Sequence, residues 1–194
     1  QPLGHAVGNA VEVQEAVATL RGEGPGDLTE LCLSLGVEML RLGGRVQDAG
    51  EGRRLLQERL RDGGGLSKFQ EMVRAQGGDP SVVEHPERLP AAPVTAEVPA
   101  PEDGYVQGID TEAVGRVAMA LGAGRGRGGD RVDPAVGIMV LAKRGTRVER
   151  QHVLALVHAR TEEAARAAVR SLQEAYRIGA APPPARPLVH GRVE

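Results

Sequence analysis

The sequence is poor in cysteine and in large aromatic residues: Cys32 is its only cysteine, and it has one phenylalanine and no tryptophan. A single cysteine excludes an internal disulfide, and such chains are typical of a reducing compartment. No apolar run approaches the roughly 18 residues that a membrane-spanning helix needs, and no stretch has the apolar segment of a signal peptide. We therefore predict a cytoplasmic protein without a membrane partner.

An excess of charge of either sign is also lacking, because 24 basic residues stand against 26 acidic ones and the formal net charge is −2. A strongly basic chain would indicate a nucleic acid partner, and none is expected here. Lysine is scarce: Lys68 and Lys143 are the only lysines, and the other residues of the basic set are arginines. The hydrophobic fraction of 41% and the length of 194 residues are sufficient for one or two globular domains.

Residues 1–78 have the pattern of consecutive helices. Capping-box spacing predicts helix starts at Asn9, Asp27, Asp48 and Ser67, and glycine clusters predict the helix ends. The second helix carries an apolar stripe that we expect to face the core: Leu28, Leu31, Cys32, Leu35, Met39 and Leu42. On this stripe Cys32 is expected to fill the core rather than to act as a nucleophile.

The rest of the chain has a different pattern of residues. Six prolines between residues 79 and 102 exclude a continuous helix and predict a linker, with a short strand near Val94–Val98. Residues 103–180 have the pattern of an α+β domain, and residues 181–194 form a proline-rich tail. The expected elements are strands at 104–109, 138–142 and 153–158, and helices at 111–121 and 161–177.

No active site can be assembled from these residues alone. Residues 124–129 (GRGRGG) contain a G-x-G-x-x-G pattern, but a predicted helix precedes it where a dinucleotide site needs a strand, so we interpret it as a mobile loop. His152 and His158 are spaced to share a strand face, yet no cysteine or carboxylate joins them at zinc-ligand spacing. Structural roles are expected for these histidines.

Longer stretches of the chain closely resemble pyrimidine nucleoside phosphorylases and thymidine phosphorylases. The matching motifs occur in the family's order and run nearly to Gly179: QPLG at 1–4, AVGNA at 6–10, EV at 12–13, EA at 15–16, LRGEGP at 20–25, GYV at 104–106, LGAGR at 121–125 and DPAVGI at 133–138. The resemblance implies the C-terminal part of a longer enzyme, and it implies that this chain begins in the middle of a domain.

The fold and the reaction follow from that resemblance. Residues 1–78 would be the helical remainder of a central α/β domain, and residues 103–180 would be an α+β domain with a half-barrel, hammerhead-like β element. The family cleaves thymidine or uridine with inorganic phosphate, giving the free base and a (deoxy)ribose 1-phosphate, and it implies a homodimer. Its catalytic and substrate-binding residues belong to upstream segments, so none is expected in this chain.

One ion site is implied within the chain. In bacterial members a monovalent cation, K⁺, is held partly by the positions that correspond to Leu3, Ala6 and Glu15. The first two would act through backbone carbonyls and Glu15 through its carboxylate; the other ligands belong to the upstream phosphate-binding loop. The alternative is that Glu15 is only an acidic residue in the first turn of a helix.

Several positions depart from the family pattern, and one region suggests another class of protein. His5 replaces an arginine or aromatic residue, Gln151 replaces a glycine before a hairpin strand, and the loop at 125–131 is richer in glycine. Residues 136–160 also resemble the half-barrel of biotinyl and lipoyl carriers. Arg160 and Thr161 stand where a carrier needs a modifiable lysine, so a non-catalytic carrier-like or interaction domain is the alternative.

Overall fold

A computed structural model describes residues 1–191 of the chain. They divide into two compact bodies: the first contains residues 1–13 and 89–186, and the second contains residues 14–88 with the tail that starts at Pro187. Residues 1–13 therefore group with the strands of the C-terminal region rather than with the helices that follow them. The predicted boundaries at residues 78, 102 and 180 concern the domains of the whole enzyme and stay a prediction.

The first body contains two antiparallel sheets. Its strands are β1 (Ala6–Gly8), β2 (Val94–Pro99), β3 (Gly104–Ile109), β4 (Gly137–Val140), β5 (Arg147–Val148), β6 (Val153–Ala159) and β7 (Tyr176–Gly179). One sheet has the order β1-β4-β6-β2 and the other the order β5-β3-β7. The α-helices within residues 1–191 are α1 (Ala10–Leu20), α2 (Gly26–Leu42), α3 (Ala49–Arg61), α4 (Gly64–Ala75), α5 (Thr111–Leu121) and α6 (Glu162–Ala175).

Helices α5 and α6 pack on the larger sheet of this body and begin at well-formed caps. The Asp110 carboxylate accepts a hydrogen bond from the Ala113 N–H at 3.0 Å, and the Thr161 hydroxyl accepts one from the Ala164 N–H at 3.1 Å. Caps of this kind stabilise a helix by about 1 kcal/mol. The side chains between helices and sheets form one core, whose fully buried members include Val98, Val106, Val114, Ile138, Val140, Leu154, Val157 and Leu172.

This mixture of helices and antiparallel sheets confirms the predicted α+β fold of the C-terminal region. β3 and α5 have the predicted bounds. The predicted helix at 161–177 is too long, because Tyr176 leaves α6 and begins β7, where it pairs with Ile109 of β3. Within the predicted linker, β2 forms a full edge strand that pairs with β6.

The second body is helical, and its helix starts differ in part from those predicted. Asp48 caps α3 as expected, since its carboxylate accepts from the Glu51 N–H at 2.8 Å. Asp27 and Ser67 are not caps: α2 begins at Gly26 after Pro25, and α4 begins at Gly64, so Ser67 lies inside the helix.

Part of the predicted apolar stripe of α2 faces outward, contrary to the sequence prediction. Leu33 and Val37 are the buried residues of this helix, whereas Leu35, Met39 and Leu42 are 57%, 72% and 88% exposed. Gly36 lies on the packed side, where an added Cβ would be 2.8 Å from a methyl group of Leu56. The helix was predicted correctly, but its buried residues Leu33 and Val37 were not in the predicted stripe, and Cys32 is exposed rather than in the core.

A close approach of two glycines positions the start of α1 in the first body. Gly8 of β1 is opposite Gly137 of β4. A Cβ on Gly137 would lie 2.9 Å from a methyl group of Val11 and 3.0 Å from the Val7 carbonyl oxygen. Only glycine leaves room for Val11 here. The strand pair thereby anchors the turn at residues 1–5, which precedes β1.

Candidate functional site

The turn at residues 1–5 contains Leu3 and leads into β1, which begins at Ala6; Leu3 and Ala6 are the predicted carbonyl ligands. Gly4 has φ 65°, a left-handed conformation that favours glycine and turns the chain into the strand. The His5 carbonyl oxygen accepts a hydrogen bond from the Val140 N–H at 2.7 Å. The backbone of residue 5 is therefore fixed by the sheet, and its side chain takes no part in this contact.

The register of β1 determines the direction of the Ala6 carbonyl. His5 and Val140 form a hydrogen-bonded pair, and such pairs alternate along an antiparallel ladder. Ala6 is opposite Met139, so this next pair is the non-bonded type, in which N–H and C=O point away from the partner strand. The Ala6 carbonyl thus points to the outer edge of the sheet, as a ligand for a cation requires.

Leu3 lies in the turn itself, with its side chain 41% exposed. The carbonyls on either side of it both accept hydrogen bonds from Lys143: the ammonium Nζ is 2.5 Å from the Pro2 oxygen and also donates to the Gly4 oxygen. A positively charged group thus already binds to carbonyl oxygens of this turn. Oxygen donors of this kind suit a hard cation, so the residues present fit the predicted ion.

Glu15 lies in α1, on the part of the helix that belongs to the second body. Its backbone carbonyl accepts a hydrogen bond from the Thr19 hydroxyl at 2.8 Å. The first-turn acid of α1 is Glu12, whose carboxylate accepts from the Gly8 N–H at 2.9 Å. The alternative in which Glu15 is a first-turn acid is therefore wrong, while its role as an ion ligand stays a prediction.

The other candidate side chains have structural surroundings. Residues 124–129 belong to the loop that connects α5 to β4. His152 precedes the first residue of β6. His158 is half-buried in β6, with Nδ1 3.4 Å from the Thr95 hydroxyl, and burial lowers the pKa of its imidazole. Within residues 1–191, no group of three or more His, Cys, Asp and Glu side chains is arranged to hold a metal ion.

Arg160, at the position expected for a carrier lysine, forms an ion pair. Its guanidinium donates to both carboxylate oxygens of Asp133, at 2.5 and 2.7 Å. Hydrogen bonding from Arg160 is the main cause of the lowered pKa of the Asp133 carboxyl. Thr161 caps α6. Both residues thus connect elements of the first body, and neither offers an amine for acylation.

The second body contains an apolar groove of about 410 Å³. Its polar side chains are few, and the guanidinium of Arg59 is paired with Asp62 at 3.0 Å. A nucleoside or phosphate site needs several convergent donors, which this groove does not offer. Its lining is mainly Ala16, Leu20, Leu28, Cys32, Leu33, Leu56, Leu60 and Phe69.

Comparison with known proteins identifies the family. Residues 105–179, which span the first body from β3 to β7, match the family model of the pyrimidine nucleoside phosphorylase C-terminal domain. A pyrimidine-nucleoside phosphorylase of Geobacillus stearothermophilus is 42% identical over 193 residues, covering 100% of this chain. The chain belongs to the pyrimidine nucleoside phosphorylase family. A pyrimidine-nucleoside phosphorylase of Staphylococcus aureus (strain USA300) is 44% identical over 163 residues, or 84% of this chain.

The chain spans less than half of these phosphorylases, 44% of the Geobacillus protein and 38% of the Staphylococcus protein. The match to the C-terminal domain model agrees with the C-terminal portion expected from the sequence motifs. These comparisons give no support to the carrier-like alternative. Among the helices of residues 1–191, none is both long and apolar enough to cross a membrane.

Proposed function

We propose that this chain is the C-terminal part of an enzyme that cleaves thymidine or uridine by phosphorolysis. In this pentosyl transfer a phosphate oxygen attacks C1′ and the bond from C1′ to the pyrimidine nitrogen breaks. The products are the free base and a (deoxy)ribose 1-phosphate. The observation that carries the proposal is the 42% identity, along all of this chain, to a protein named pyrimidine-nucleoside phosphorylase.

The proposal assigns the chemical step to residues outside this chain. Phosphorolysis needs donors that hold a phosphate, donors to the leaving pyrimidine and a site that excludes water. The apolar groove of the second body lacks such donors. Catalytic and substrate-binding residues would come from the part of the protein that these 194 residues do not include, since the relatives are more than twice as long.

The contribution of this chain to the site is the turn at residues 1–5 together with Ala6, which we call the cation turn. We propose that the carbonyls of Leu3 and Ala6 and the carboxylate of Glu15 are ligands of K⁺. When bound, the ion supplies a positive charge next to the phosphate-binding loop. The support is the outward direction of the Ala6 carbonyl, which follows from its register with Met139, and the cationic group already bound to this turn.

We also propose that the full-length protein is a homodimer located in the cytoplasm. The single cysteine is in keeping with a reducing compartment. Sedimentation equilibrium of the full-length protein measures the oligomeric state, and a monomer across the micromolar range would contradict it. Fractionation of the source cells measures the location.

The activity is tested on the full-length protein that contains this chain. Thymidine and uridine are each incubated with the enzyme in the presence and in the absence of inorganic phosphate, and the free base is quantified by chromatography. We expect base release from one or both nucleosides only when phosphate is present. Equal release without phosphate would indicate a hydrolase and would overturn the assignment.

A further inference from the structure

Lys143 connects two parts of the first body that are far apart in sequence. It lies after β4, in a tight turn where its N–H donates to the Thr146 hydroxyl at 3.1 Å and the Thr146 N–H donates back to its carbonyl at 3.0 Å. From this fixed backbone its ammonium reaches Pro2 at 2.5 Å and also Gly4. The lysine therefore holds the carbonyls immediately before and after Leu3.

The choice of lysine at this position is informative, because the chain otherwise uses arginine. Only two of its 24 basic residues are lysines, and the other, Lys68, is an exposed helical residue that pairs with Glu71. An ammonium is a compact group with three donors, whereas a guanidinium is a wide planar fork. Two carbonyls separated by one residue in a turn fit the compact group better.

We propose that Lys143 is a positioning residue for the cation turn: its ammonium holds the Pro2 and Gly4 carbonyls so that the Leu3 and Ala6 carbonyls face the ion. This inference rests on the cation site of the proposed function. Two effects of Lys143 on the ion have opposite signs. Ordering of the ligands favours binding, because the turn then loses less conformational freedom. Repulsion between two positive charges opposes binding.

We expect the ordering of the ligands to outweigh the charge repulsion, so loss of the Lys143 ammonium should weaken K⁺ binding. The full-length protein is compared with Lys143→Met, which keeps most of the length of the side chain and removes its charge and donors. The matched control is Arg144→Met, which removes a neighbouring charge whose guanidinium donates to the Gln107 and Pro184 carbonyls rather than to the turn.

The measurement is the rise in unfolding temperature on titration with KCl, against choline chloride at equal ionic strength and without substrates. We expect Lys143→Met to raise the half-saturating K⁺ concentration on the order of 10-fold, the range found when outer-shell partners of metal ligands are lost. Arg144→Met should leave it unchanged. Lys143→Arg should also raise it, because the charge remains but the compact shape is lost.

The outcomes separate this inference from the proposed function. An unchanged or lower half-saturating K⁺ concentration in Lys143→Met would overturn the positioning role while leaving the cation site intact. A wild-type protein whose unfolding temperature does not respond to K⁺ beyond choline would overturn the site itself, and this inference with it. Hydrogen exchange of residues 4–8, measured in choline chloride, should be faster in Lys143→Met than in Arg144→Met, and equal rates would contradict the proposed ordering.

Discussion

The proposed ion site makes its strongest single-residue prediction for Glu15. Removing its carboxylate would leave the Leu3 and Ala6 carbonyls without a compensating negative charge near the ion. In the full-length enzyme we expect Glu15→Ala to weaken K⁺ binding on the order of 10–100-fold, and to raise KM for phosphate more than KM for nucleoside. Titration of the activity with KCl measures the first effect, and titrations with phosphate and with nucleoside at a fixed KCl concentration measure the second.

His5→Ala is the matched control, because His5 lies in the same turn and contacts Val140 through its backbone carbonyl. This variant should keep the wild-type response to K⁺. If Glu15→Ala also keeps it, the carboxylate is not a ligand and the ion site has to be withdrawn.

His158 gives a prediction of pH dependence for the first body. Burial lowers the pKa of its imidazole below the ordinary value of 6.5, so the unfolded chain binds more protons than the folded one as the pH falls through 6.5. Stability from the neutral side chain is fully present above pH 6.5 and decreases below it. We expect the unfolding temperature of the full-length protein to fall from pH 7.5 to pH 5.5 by more than that of His158→Gln. Parallel pH profiles of the two proteins would contradict this.

Gln151 shows what sequence reasoning can detect at a single residue. Gln151 stands where the family has a glycine, and this replacement drew attention to the geometry of the turn before β6. Among residues 1–191, Gln151 is the only non-glycine residue with a positive φ, 70°. The turn nevertheless forms: the Gln151 N–H donates to the Ala100 carbonyl at 2.9 Å, and the His152 N–H donates to Glu149 at 2.9 Å. The backbone conformation was signalled by the sequence, whereas one of the two hydrogen bonds that stabilise it comes from Ala100, just beyond the distant strand β2.

Helix α2 exposes an apolar stripe of the kind that is typical of an interaction surface. Leu35, Met39 and Leu42 recur at helical spacing on its outer side, and a contiguous apolar patch above a few hundred Å² marks an interaction surface. We expect the isolated 194-residue chain to be inactive and to associate in size-exclusion chromatography with light scattering, and co-expression with the rest of the protein to restore a defined species with activity.

A variant in which Leu35, Met39 and Leu42 are all changed to Gln tests the origin of that association. It should make the isolated chain more monomeric, while in the full-length protein it should lower the unfolding temperature. The matched control changes Glu38, Arg45 and Gln47 to Ala, which removes polar groups near the same helix. An isolated wild-type chain that is monomeric, cooperatively folded and active would contradict the prediction.

The elements divide according to whether local or distant contacts determine them. β3 and α5 were predicted with correct bounds because strand alternation, the Asp110 cap and the C-terminal Gly122 are all local signals. β1 and β7 were missed because each is short and exists through a partner more than 60 residues away, β4 for one and β3 for the other. The period of α2 predicted a helix correctly, but which face is buried depends on neighbours that the period does not specify.

On the scale of the whole molecule, membership of the phosphorylase family is the basis both for the proposed cation turn and for the expectation that the catalytic residues lie outside this chain. The cation turn was implied by the family resemblance and stays a proposal, argued from the register of Ala6 with Met139 and from the contacts of Lys143. The phosphate and nucleoside sites could not be predicted from these residues, because the chain spans less than half of its relatives.

The most direct test is the fate of phosphate during nucleoside cleavage by the full-length protein. ³¹P NMR follows inorganic phosphate and sugar phosphate in one sample while chromatography quantifies the free base. The account predicts that each molecule of thymine or uracil released is matched by one phosphate consumed and one (deoxy)ribose 1-phosphate formed. Release of the base with a free sugar, while the inorganic phosphate signal stays constant, would contradict the assignment of this chain to a phosphorolytic enzyme.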